Sequence, residues 1–519
     1  MEQNKQKVAV IDFGSQYTHN PVAVIDFGAQ YTQLIARRIR EQNVYSEIFP
    51  PSIRAKELEN VQAIIFSGSR SGIYEKESPQ VDPEILDLGI PILGICYGMQ
   101  LLVSHEGGRI IRGSGEYGAA DIHVERDSLL LHDLEDSQVW MSHGDEIESL
   151  GDEFEILARS SNNVIAAIQH HNRPLYGIQF HPEVVHSLIG KEIFRNFLFK
   201  ISKCKKNWIT KDIVSDSIKS IKEKVGDGEV ITAISGGVDS AVVATLLHKA
   251  IGDRSKCVFI DNGLLRKDEA NQIMELLGGL GLNIKKYNYA YKFWRVLRGV
   301  TEPEEKRKIV GKQFIESFKD VAREHNDVQF LAQGTIYPDV IESGNKMAAT
   351  IKSHHNVGGL PDDIGFSLIE PLRDLFKDEV RMLGKKELGL PDAILNRQPF
   401  PGPGLAVRIL GEVTHDRLRM LREADHIFLD TLGEHEGIWQ AFAILIPVKT
   451  VGVMGDERTY DNLIALRVVS SEDGMTADWY NVPYETLKQC STKIINNVVG
   501  VNRVVYDITS KPPGTIEWI

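Results

Sequence analysis

The sequence predicts an α/β protein with two parallel-sheet α/β domains and a smaller α+β domain at its C-terminal end. The chain of 519 residues is too long for a single hydrophobic core. Short apolar strands alternate with helical patterns as far as about residue 397, which is typical of parallel sheets. Beyond that point, helical segments separate three strand-like runs, which indicates the α+β domain: 442–448, 463–469 and 503–507.

The composition is that of an ordinary globular protein, with 42% hydrophobic and 25% charged residues. The net charge of −13 disfavours nucleic-acid and membrane surfaces, so small molecules are the expected partners. No apolar run has the length of a signal peptide or a membrane span. Four scattered cysteines fit neither a disulfide scaffold nor a zinc cluster, which predicts a reducing, cytoplasmic location: Cys96, Cys204, Cys257 and Cys490.

The first element is a near-repeat, in which VAVIDFGSQYT at 8–18 returns as VAVIDFGAQYT at 22–32. Only the second copy continues into a helical pattern, at 33–41. We therefore assign the second copy to the first strand of a domain that covers 22–204. Residues 1–21 are then an N-terminal extension with a duplicated strand motif.

Two later strands of this domain each lead into a reactive side chain. The run at 90–95 leads into GICYG, whose glycines stand two positions either side of Cys96, the spacing of a nucleophile elbow. The run at 176–180 leads into His181, the candidate base, and Glu183 is the candidate group that orients it. A lone cysteine or histidine is more often a buried structural residue. The occurrence of both at strand ends favours a thiol nucleophile.

The second domain is organised around EVITAISGGVDSAVVATLLHKA at 229–250. An apolar strand breaks into two glycines, and Ser240 is the expected start of the following helix. Such a turn directs backbone N–H groups and a helix dipole at one place, which suits a phosphate chain. The stretch is not a Walker A loop, because no Gly-Lys-Ser/Thr follows. Asp239 is the expected ligand of a magnesium ion on the phosphates, although an ordinary βα turn is the alternative.

Further candidates follow the strands of this domain. Asp261 ends the next strand, at a position suited to contacts with adenosine. Asp339 and Glu342 are three residues apart and are expected on one side of a turn, to hold metal or position a reacting group. Lys352 lies in IKSHHNVGGLP, which we interpret as a lid whose lysine reaches a phosphate. Adjacent histidines diverge, so a zinc site is not expected there.

The motifs GICYGMQ, MSHGDE and GIQFHPEV, in this order, resemble the class I glutamine amidotransferases, which hydrolyse glutamine to glutamate and ammonia. The resemblance implies Cys96 as nucleophile, His181 as base and Glu183 as the third member of the triad. It also implies a set of residues that bind glutamine or form the oxyanion hole: Gly68, Ser69, Tyr97, Gln100 and Asp145.

One motif departs from that family, which usually has Ser-Gly-Gly-Pro where this chain has Ser-Gly-Ser-Arg at 67–70. If the position of Ser69 needs a positive φ, a serine there is strained by about 1–3 kcal/mol. Loss of one oxyanion donor lowers a rate by roughly 100- to 1,000-fold. Among the predicted functions, glutaminase activity is therefore the one that depends most on this sequence difference.

The loop SGGVDS resembles the pyrophosphate loop of enzymes that adenylate a substrate oxygen with ATP. With DNGLLR, GTIYPDVIES, KSHHNVGGLP, PFPGPGL, VGVMGD and KPPGTIEW behind it, the chain resembles the glutamine-hydrolysing GMP synthase family over about residues 22–519. The resemblance implies adenylation of the O2 of xanthosine monophosphate (XMP) with ATP and Mg²⁺, and then attack by ammonia to give GMP. No flavin is expected.

The resemblance also implies roles for individual residues of the synthetase. The residues expected to bind ATP are Ser235, Gly236, Gly237, Val238, Asp239, Ser240, Asp261 and Lys352. Asp339 and Glu342 are expected to serve the synthetase chemistry. The residues expected to bind XMP are Arg307, Asp456, Lys511 and Glu517.

The implied boundaries are an ATP pyrophosphatase domain at 205–397 and a C-terminal domain at 398–519. In the family, the latter forms the homodimer and closes the nucleotide site with its tail. The tail ends in Ile519, where the family commonly has an acidic residue. The lysine-rich linker at 201–212 is expected to be solvated.

Three other functions remain open from the sequence. The first is an ammonia-dependent synthetase with a weak or regulatory amidotransferase module, which Ser69 and the duplicated strand motivate. The second is another pyrophosphate-loop ligase, such as an NAD synthetase, which takes deamido-NAD and has no use for the KPPGTIEW tail. The third is a protein that only binds nucleotides. That function is excluded if AMP and pyrophosphate accumulate only when the acceptor nucleotide is present.

Overall fold

The computed structural model describes residues 21–29, 31–325, 328–344, 366–433, 435–454, 456–471 and 476–519. The chain divides into two compact units, with the change from one to the other between Ile213 and Val214. Residues 1–20 of the predicted extension and the predicted lid with Lys352 lie outside the described residues. The predicted domain boundaries stay predictions.

The first unit contains a nine-stranded sheet. Its strands are β1 (Val22–Phe27), β2 (Ser46–Phe49), β3 (Ala63–Ser69), β4 (Ile92–Ile95), β5 (Arg109–Val124), β6 (Ser137–Ser149), β7 (Phe154–Ser160), β8 (Ile165–His170) and β9 (Leu175–Ile178). Its helices are α1 (Thr32–Glu41), α2 (Tyr97–His105) and α3 (Gly190–Arg195), which a π-helical turn extends over Asn196–Ile201.

The strand order in this sheet is β2-β1-β3-β4-β9-β8-β7-β5-β6. The five strands from β2 to β9 pair in parallel, and the others are antiparallel. The parallel strands β1, β3 and β4 are almost wholly buried, which explains their unbroken apolar sequences. The strands β4 and β9, which lead into the two reactive residues, are direct neighbours.

The second unit begins with a five-stranded parallel sheet in the order β12-β11-β10-β13-β14. Its strands are β10 (Glu229–Ile234), β11 (Ser255–Asp261), β12 (Ile284–Asn288), β13 (Val328–Ala332) and β14 (Ser367–Ile369). Its helices are α4 (Thr210–Val225), which starts just before the unit boundary, α5 (Val238–Ile251), α6 (Glu269–Gly278), α7 (Ala290–Leu297), α8 (Pro303–Arg323), α9 (Tyr337–Gly344), α10 (Lys377–Lys386) and α11 (Asp392–Leu395).

A smaller sheet follows, made of β15 (Gln440–Met454), β16 (Glu457–Ser470), β17 (Asp478–Trp479) and β18 (Val501–Tyr506), with α12 (His415–Leu432) and α13 (Tyr484–Asn497). The strand β16 pairs antiparallel with β15 and β17 and parallel with β18. Ile231 and Val258 of the parallel sheet share one hydrophobic core with Leu421 and Ile464 of this second part. The predicted fold class is confirmed.

Two local predictions are wrong. The helix after the glycines begins at Val238 rather than Ser240, because Gly237 takes the extended conformation of the capping position. The linker is not solvated throughout, since Trp208 is buried and its ring lies 4.9 Å from that of Tyr45. An apolar side chain within a lysine-rich stretch packs back on the first unit.

Short 3-10 helices complete the described elements, at Ala55–Glu57, Pro83–Leu88, Gly252–Arg254 and Gly404–Arg408. In the described part of the chain, no helix has the length and apolar character needed to cross a membrane.

Candidate functional site

Cys96 stands on a strained turn between β4 and α2. Its φ of 52° and ψ of −108° are unusual for a residue with a side chain. The turn needs the glycines of GICYG, because a Cβ on Gly94 or on Gly98 would lie 2.5 Å from backbone atoms. The thiol is therefore held at the carboxyl end of an inner parallel strand and at the start of a helix, as the elbow spacing predicts.

His181 and Glu183 lie just beyond β9, beside the cysteine turn. The Nδ1 of His181 donates to the Oε1 of Glu183 at 2.7 Å, and both side chains are buried. Gly68 faces the same place, since a Cβ on it would lie 3.4 Å from His181 Cε1 and 3.9 Å from Cys96 Cβ. The structure thus brings the three predicted triad residues and Gly68 together.

The charges around His181 favour its protonated form. Burial acts to lower the pKa of His181, but the Glu183 carboxylate and the Cys96 sulfur outweigh it and hold that pKa well above its ordinary value. The imidazolium is therefore placed to stabilise a thiolate on Cys96 and later to give a proton to a leaving group.

We expect Glu183→Gln to destabilise the protein in a pH-dependent way. Because the folded-state pKa of His181 is raised, its contribution to stability is complete below about pH 6.5 and is lost as the pH rises through the raised value. The variant should lose roughly 3 kcal/mol near pH 6 and less above the pKa of His181. Unfolding midpoints from pH 6 to 10 measure this. The surface variant Glu192→Gln is the control, and a pH-independent loss would contradict the assignment.

The remaining predicted glutamine-site residues lie on adjoining segments. The Nε2 of Gln100 donates to the backbone oxygen of Asp145 at 3.0 Å, which joins two of the motifs. The hydroxyl of Tyr97 donates to Pro79 O at 2.6 Å, so its side chain is turned into the core and its backbone N–H is the group left for an oxyanion. Ser69, a described residue, does not have a positive φ, so the strain considered for a serine there does not arise.

The glycine turn of the second unit lies at the carboxyl end of β10, between β11 and β13. Gly236 has a φ of 78° and Gly237 follows in an extended conformation. The hydroxyls of Ser235 and Ser240 lie 3.2 Å apart, and Ser240 also donates to Gly237 O at 3.0 Å. These bonds fix a small turn in front of the helix N-terminus, a geometry that suits a phosphate chain.

Asp239 in the first turn of α5 fits a metal ion. Its Oδ2 pairs with Lys377, while its Oδ1 is buried without a hydrogen-bond partner among the described residues. An unsatisfied buried carboxylate oxygen is the kind of ligand that Mg²⁺ takes. Among the described residues, no group of three or more His, Cys, Asp or Glu side chains is arranged to hold a metal ion. Phosphate oxygens and water would supply further ligands of such an ion.

Two cationic residues beside this loop, Lys377 and Arg397, were not predicted from the sequence. Lys377 opens α10, and Arg397 donates from Nη1 to Gly236 O at 2.5 Å while its Nη2 pairs with Glu269. A lysine that opens a helix soon after the last strand of a parallel sheet was the available signal for Lys377. Arg397 had no comparable local signal.

The other predicted ATP and synthetase residues follow the same sheet. Asp261 ends β11, and its Oδ1 accepts from Gly263 N at 2.9 Å, so it shapes the turn. Asp339 lies in the first turn of α9 and its Oδ2 accepts from Ile336 N at 3.1 Å. The side chain of Glu342, like the whole of Lys352, lies outside the described residues.

The C-terminal tail is bound by the buried Arg408 and the partly buried Arg307. Arg408 is fully buried and donates to both oxygens of Glu517, at 3.1 and 2.8 Å. Its guanidinium also lies over the ring of Phe442 at 4.0 Å. Arg307 donates from Nη2 to Ile519 O at 2.6 Å. Two residues are predicted to bind XMP here. Arg307 contacts the tail, and Glu517 belongs to it.

The other two predicted XMP residues are placed differently. Lys511 starts the tail, where its backbone pairs with Ala477. Asp456 is exposed at the tip of the hairpin formed by β15 and β16. The far end of this hairpin carries Gln440, which bonds to Glu517. A 15-residue strand spans about 45 Å, so one chain does not bring Asp456 together with Glu517.

Three family models match successive parts of the chain. Residues 23–201 match glutamine amidotransferase class-I, residues 210–404 match NAD synthase, and residues 428–518 match the GMP synthase C terminal domain. The fold and the two sites therefore define a class I glutamine amidotransferase joined to an ATP-using synthetase of small molecules.

Curated relatives cover nearly the whole chain. A protein of Gloeothece citriformis described as GMP synthase [glutamine-hydrolyzing] is 51% identical, over 99% of this chain and 95% of its own. Proteins with the same description from Listeria monocytogenes and Listeria innocua are 52% and 53% identical, over 99% of this chain and 98% of theirs. The chain belongs to the glutamine-hydrolysing GMP synthase family, and the resemblance drawn from its motifs is confirmed.

Proposed function

We propose that this protein makes GMP from XMP, ATP and glutamine, with ammonia from the first site attacking an adenylated XMP. The observation that carries the proposal is the presence, in one chain, of a Cys96–His181–Glu183 constellation and a pyrophosphate-loop turn. The full-length family match favours this function over the alternatives of an NAD synthetase and of a synthetase that uses only free ammonia.

In the proposed glutaminase reaction, the Cys96 thiolate attacks the carboxamide carbon of glutamine. His181 then gives its proton to the leaving ammonia, and a thioester remains on the sulfur. Water attacks the thioester with His181 as base, which releases glutamate. The N–H groups near Gly68 and Tyr97 are the proposed oxyanion donors, and Gln100 with Asp145 holds the rest of the substrate.

In the proposed synthetase reaction, the loop from Ser235 to Ser240 binds the phosphates of ATP through its N–H groups. Mg²⁺, when bound, neutralises charge on the pyrophosphate, and Asp239 is the residue that would hold it. Lys377 and Arg397 add positive charge on either side of the loop. Asp261 is assigned to adenosine and Lys352 to a phosphate of ATP, while Asp339 and Glu342 are assigned to the synthetase chemistry.

XMP is proposed to bind next to the tail, where Glu517, Arg307 and Lys511 contribute. Arg408 holds the Glu517 carboxylate in place and neutralises it. We expect Arg408→Met to raise the KM for XMP by about 10-fold or more, because the variant leaves Glu517 without its charged partner.

The KM for ATP should change less in Arg408→Met, since the side-chain hydrogen bonds of Arg408 among the described residues go to Glu517 and not to the phosphate loop. Arg503→Met, at an exposed arginine of β18, is the matched control. Steady-state kinetics with each nucleotide varied in turn measure both constants. An unchanged KM for XMP would contradict the placement of the XMP site at the tail.

A homodimer formed through the C-terminal domain is part of the proposal. The outer end of the β15–β16 hairpin exposes large apolar side chains: Val448, Val451, Val453 and Tyr460. Such a patch is costly on an isolated chain and is typical of an interface. A cytoplasmic location, with small molecules rather than nucleic acid or membranes as partners, completes the proposal.

The test is a matrix of substrates with the full chain. GMP formation is measured with XMP, ATP and Mg²⁺ and with either glutamine or ammonium as nitrogen donor, and AMP and pyrophosphate are measured alongside. We expect GMP with both donors. Formation of product from deamido-NAD but not XMP would overturn the acceptor, and activity with ammonium alone would overturn the glutaminase.

A further inference from the structure

A series of buried polar groups connects Cys96 to β6, the strand at the edge of its sheet. Gln179, just after β9, is fully buried, and its Nε2 donates to Cys96 Sγ at 3.5 Å. Its Oε1 accepts from Gln100 Nε2 at 3.3 Å. The proposed reaction above assigns no role to the Gln179 side chain, although it is the neutral donor next to the sulfur.

The neighbouring bonds fix which end of the Gln179 amide faces the sulfur. Gln100 Nε2 has two hydrogens, one for Gln179 Oε1 and one for the backbone oxygen of Asp145 at 3.0 Å. A reversed Gln179 amide would point its hydrogens at those of Gln100. The amide nitrogen of Gln179 is therefore held against Cys96.

The far end of this series of polar groups is a buried pair of side chains, His143 and Glu116. His143 Nδ1 lies 3.1 Å from the same Asp145 oxygen, and since a carbonyl only accepts, this nitrogen carries a hydrogen. His143 Nε2 lies 3.4 Å from Glu116 Oε2, and neither atom has a hydrogen-bond partner among the described residues. This contact between two buried side chains joins β6 to β5.

We propose that Gln179 is a positioning residue of the glutaminase, which holds the Cys96 thiolate through its amide. The His143–Glu116 pair anchors the series of polar groups that orients this amide. His181 faces the same sulfur from the turn after β9, but it changes charge during the reaction. Gln179 cannot change charge, so it offers the sulfur the same hydrogen bond before and after His181 transfers its proton. This inference rests on the proposed function.

The test measures the thiolate without turnover. Cys96 in the full chain is alkylated with iodoacetamide in the absence of glutamine, and the modified peptide is followed by mass spectrometry from pH 6 to 9. A hydrogen bond to a charged group is worth about a 10-fold change, so Gln179→Leu should react about 10-fold more slowly near pH 7. Gln179→Glu should react more slowly still, because it places a carboxylate beside the sulfur.

Gln169→Leu is the matched control, because Gln169 also bonds to a side chain of this sheet but not to Cys96. It should react at the wild-type rate. Ammonium-dependent GMP formation and the unfolding midpoint check that each variant is folded, and Gln179→Met replaces Gln179→Leu if the latter does not fold. A wild-type alkylation profile in the folded Gln179 variant overturns the proposal, whether or not the wild type hydrolyses glutamine.

The anchor is tested with Glu116→Gln, which replaces the carboxylate that faces His143 by an amide. We expect slower alkylation of Cys96, by about 3-fold or more, together with a higher KM for glutamine. A change in unfolding midpoint with no change in alkylation would show a merely structural pair and would overturn this part of the proposal.

Discussion

Cys96→Ala should abolish GMP formation from glutamine and leave GMP formation from ammonium intact. The thiol is the atom that forms the thioester, so its removal is expected to lower the glutaminase rate by about 10⁴-fold or more. The synthetase residues belong to the other compact unit and keep their own hydrogen bonds. The effect should therefore depend on the nitrogen donor rather than on the protein as a whole.

Cys204→Ala is the matched control for this experiment. Burial raises the pKa of the Cys204 thiol to about 12, which makes it a poor nucleophile at neutral pH. Its replacement should leave both nitrogen donors active. Initial rates of GMP formation with saturating glutamine or ammonium decide the matter, and equal losses with both donors in Cys96→Ala would contradict separate sites.

Predictions from local sequence succeeded where a pattern determines the backbone nearby. The strand β10 is apolar because both of its faces are covered, so its position followed from Val230, Ile231 and Ile234 alone. The turn at Cys96 followed from its flanking glycines, which no larger residue replaces without a clash. In both places the physical cause lies within a few residues of the effect.

Features made by long side chains from distant segments were not predictable in this way. Arg408 and Glu517 are 109 residues apart, Arg397 and Gly236 are 161 apart, and Gln179 and Cys96 are 83 apart. Each pair depends on how the elements pack, which periodicity and local spacing do not specify. Family resemblance supplied Glu517 as a site residue but not the arginine that holds it.

Asp239→Asn is expected to remove most synthetase activity with either nitrogen donor. The substitution replaces the carboxylate of residue 239 by a neutral amide. Lys377 thereby loses this ion-pair partner, and the proposed metal ligand loses its negative charge. Loss of a metal contact worth several kcal/mol corresponds to a rate lower by about 100- to 1,000-fold. The glutaminase half-reaction, measured as glutamate release, should persist because Asp239 takes no part in it.

The dependence on Mg²⁺ separates a lost ligand from a disturbed loop. If Asp239 holds the ion, the variant needs a higher Mg²⁺ concentration and recovers part of its rate as the ion is raised. If Asp239 only fixes Lys377, the rate stays low at every Mg²⁺ concentration, which would contradict the metal assignment. Asp253→Asn, an exposed aspartate after α5, is the control that changes the same charge without touching the loop. The buried Oδ1 of Asp239 favours the first result, because a buried carboxylate oxygen that has no hydrogen-bond partner among the described residues is costly unless an ion or water binds it.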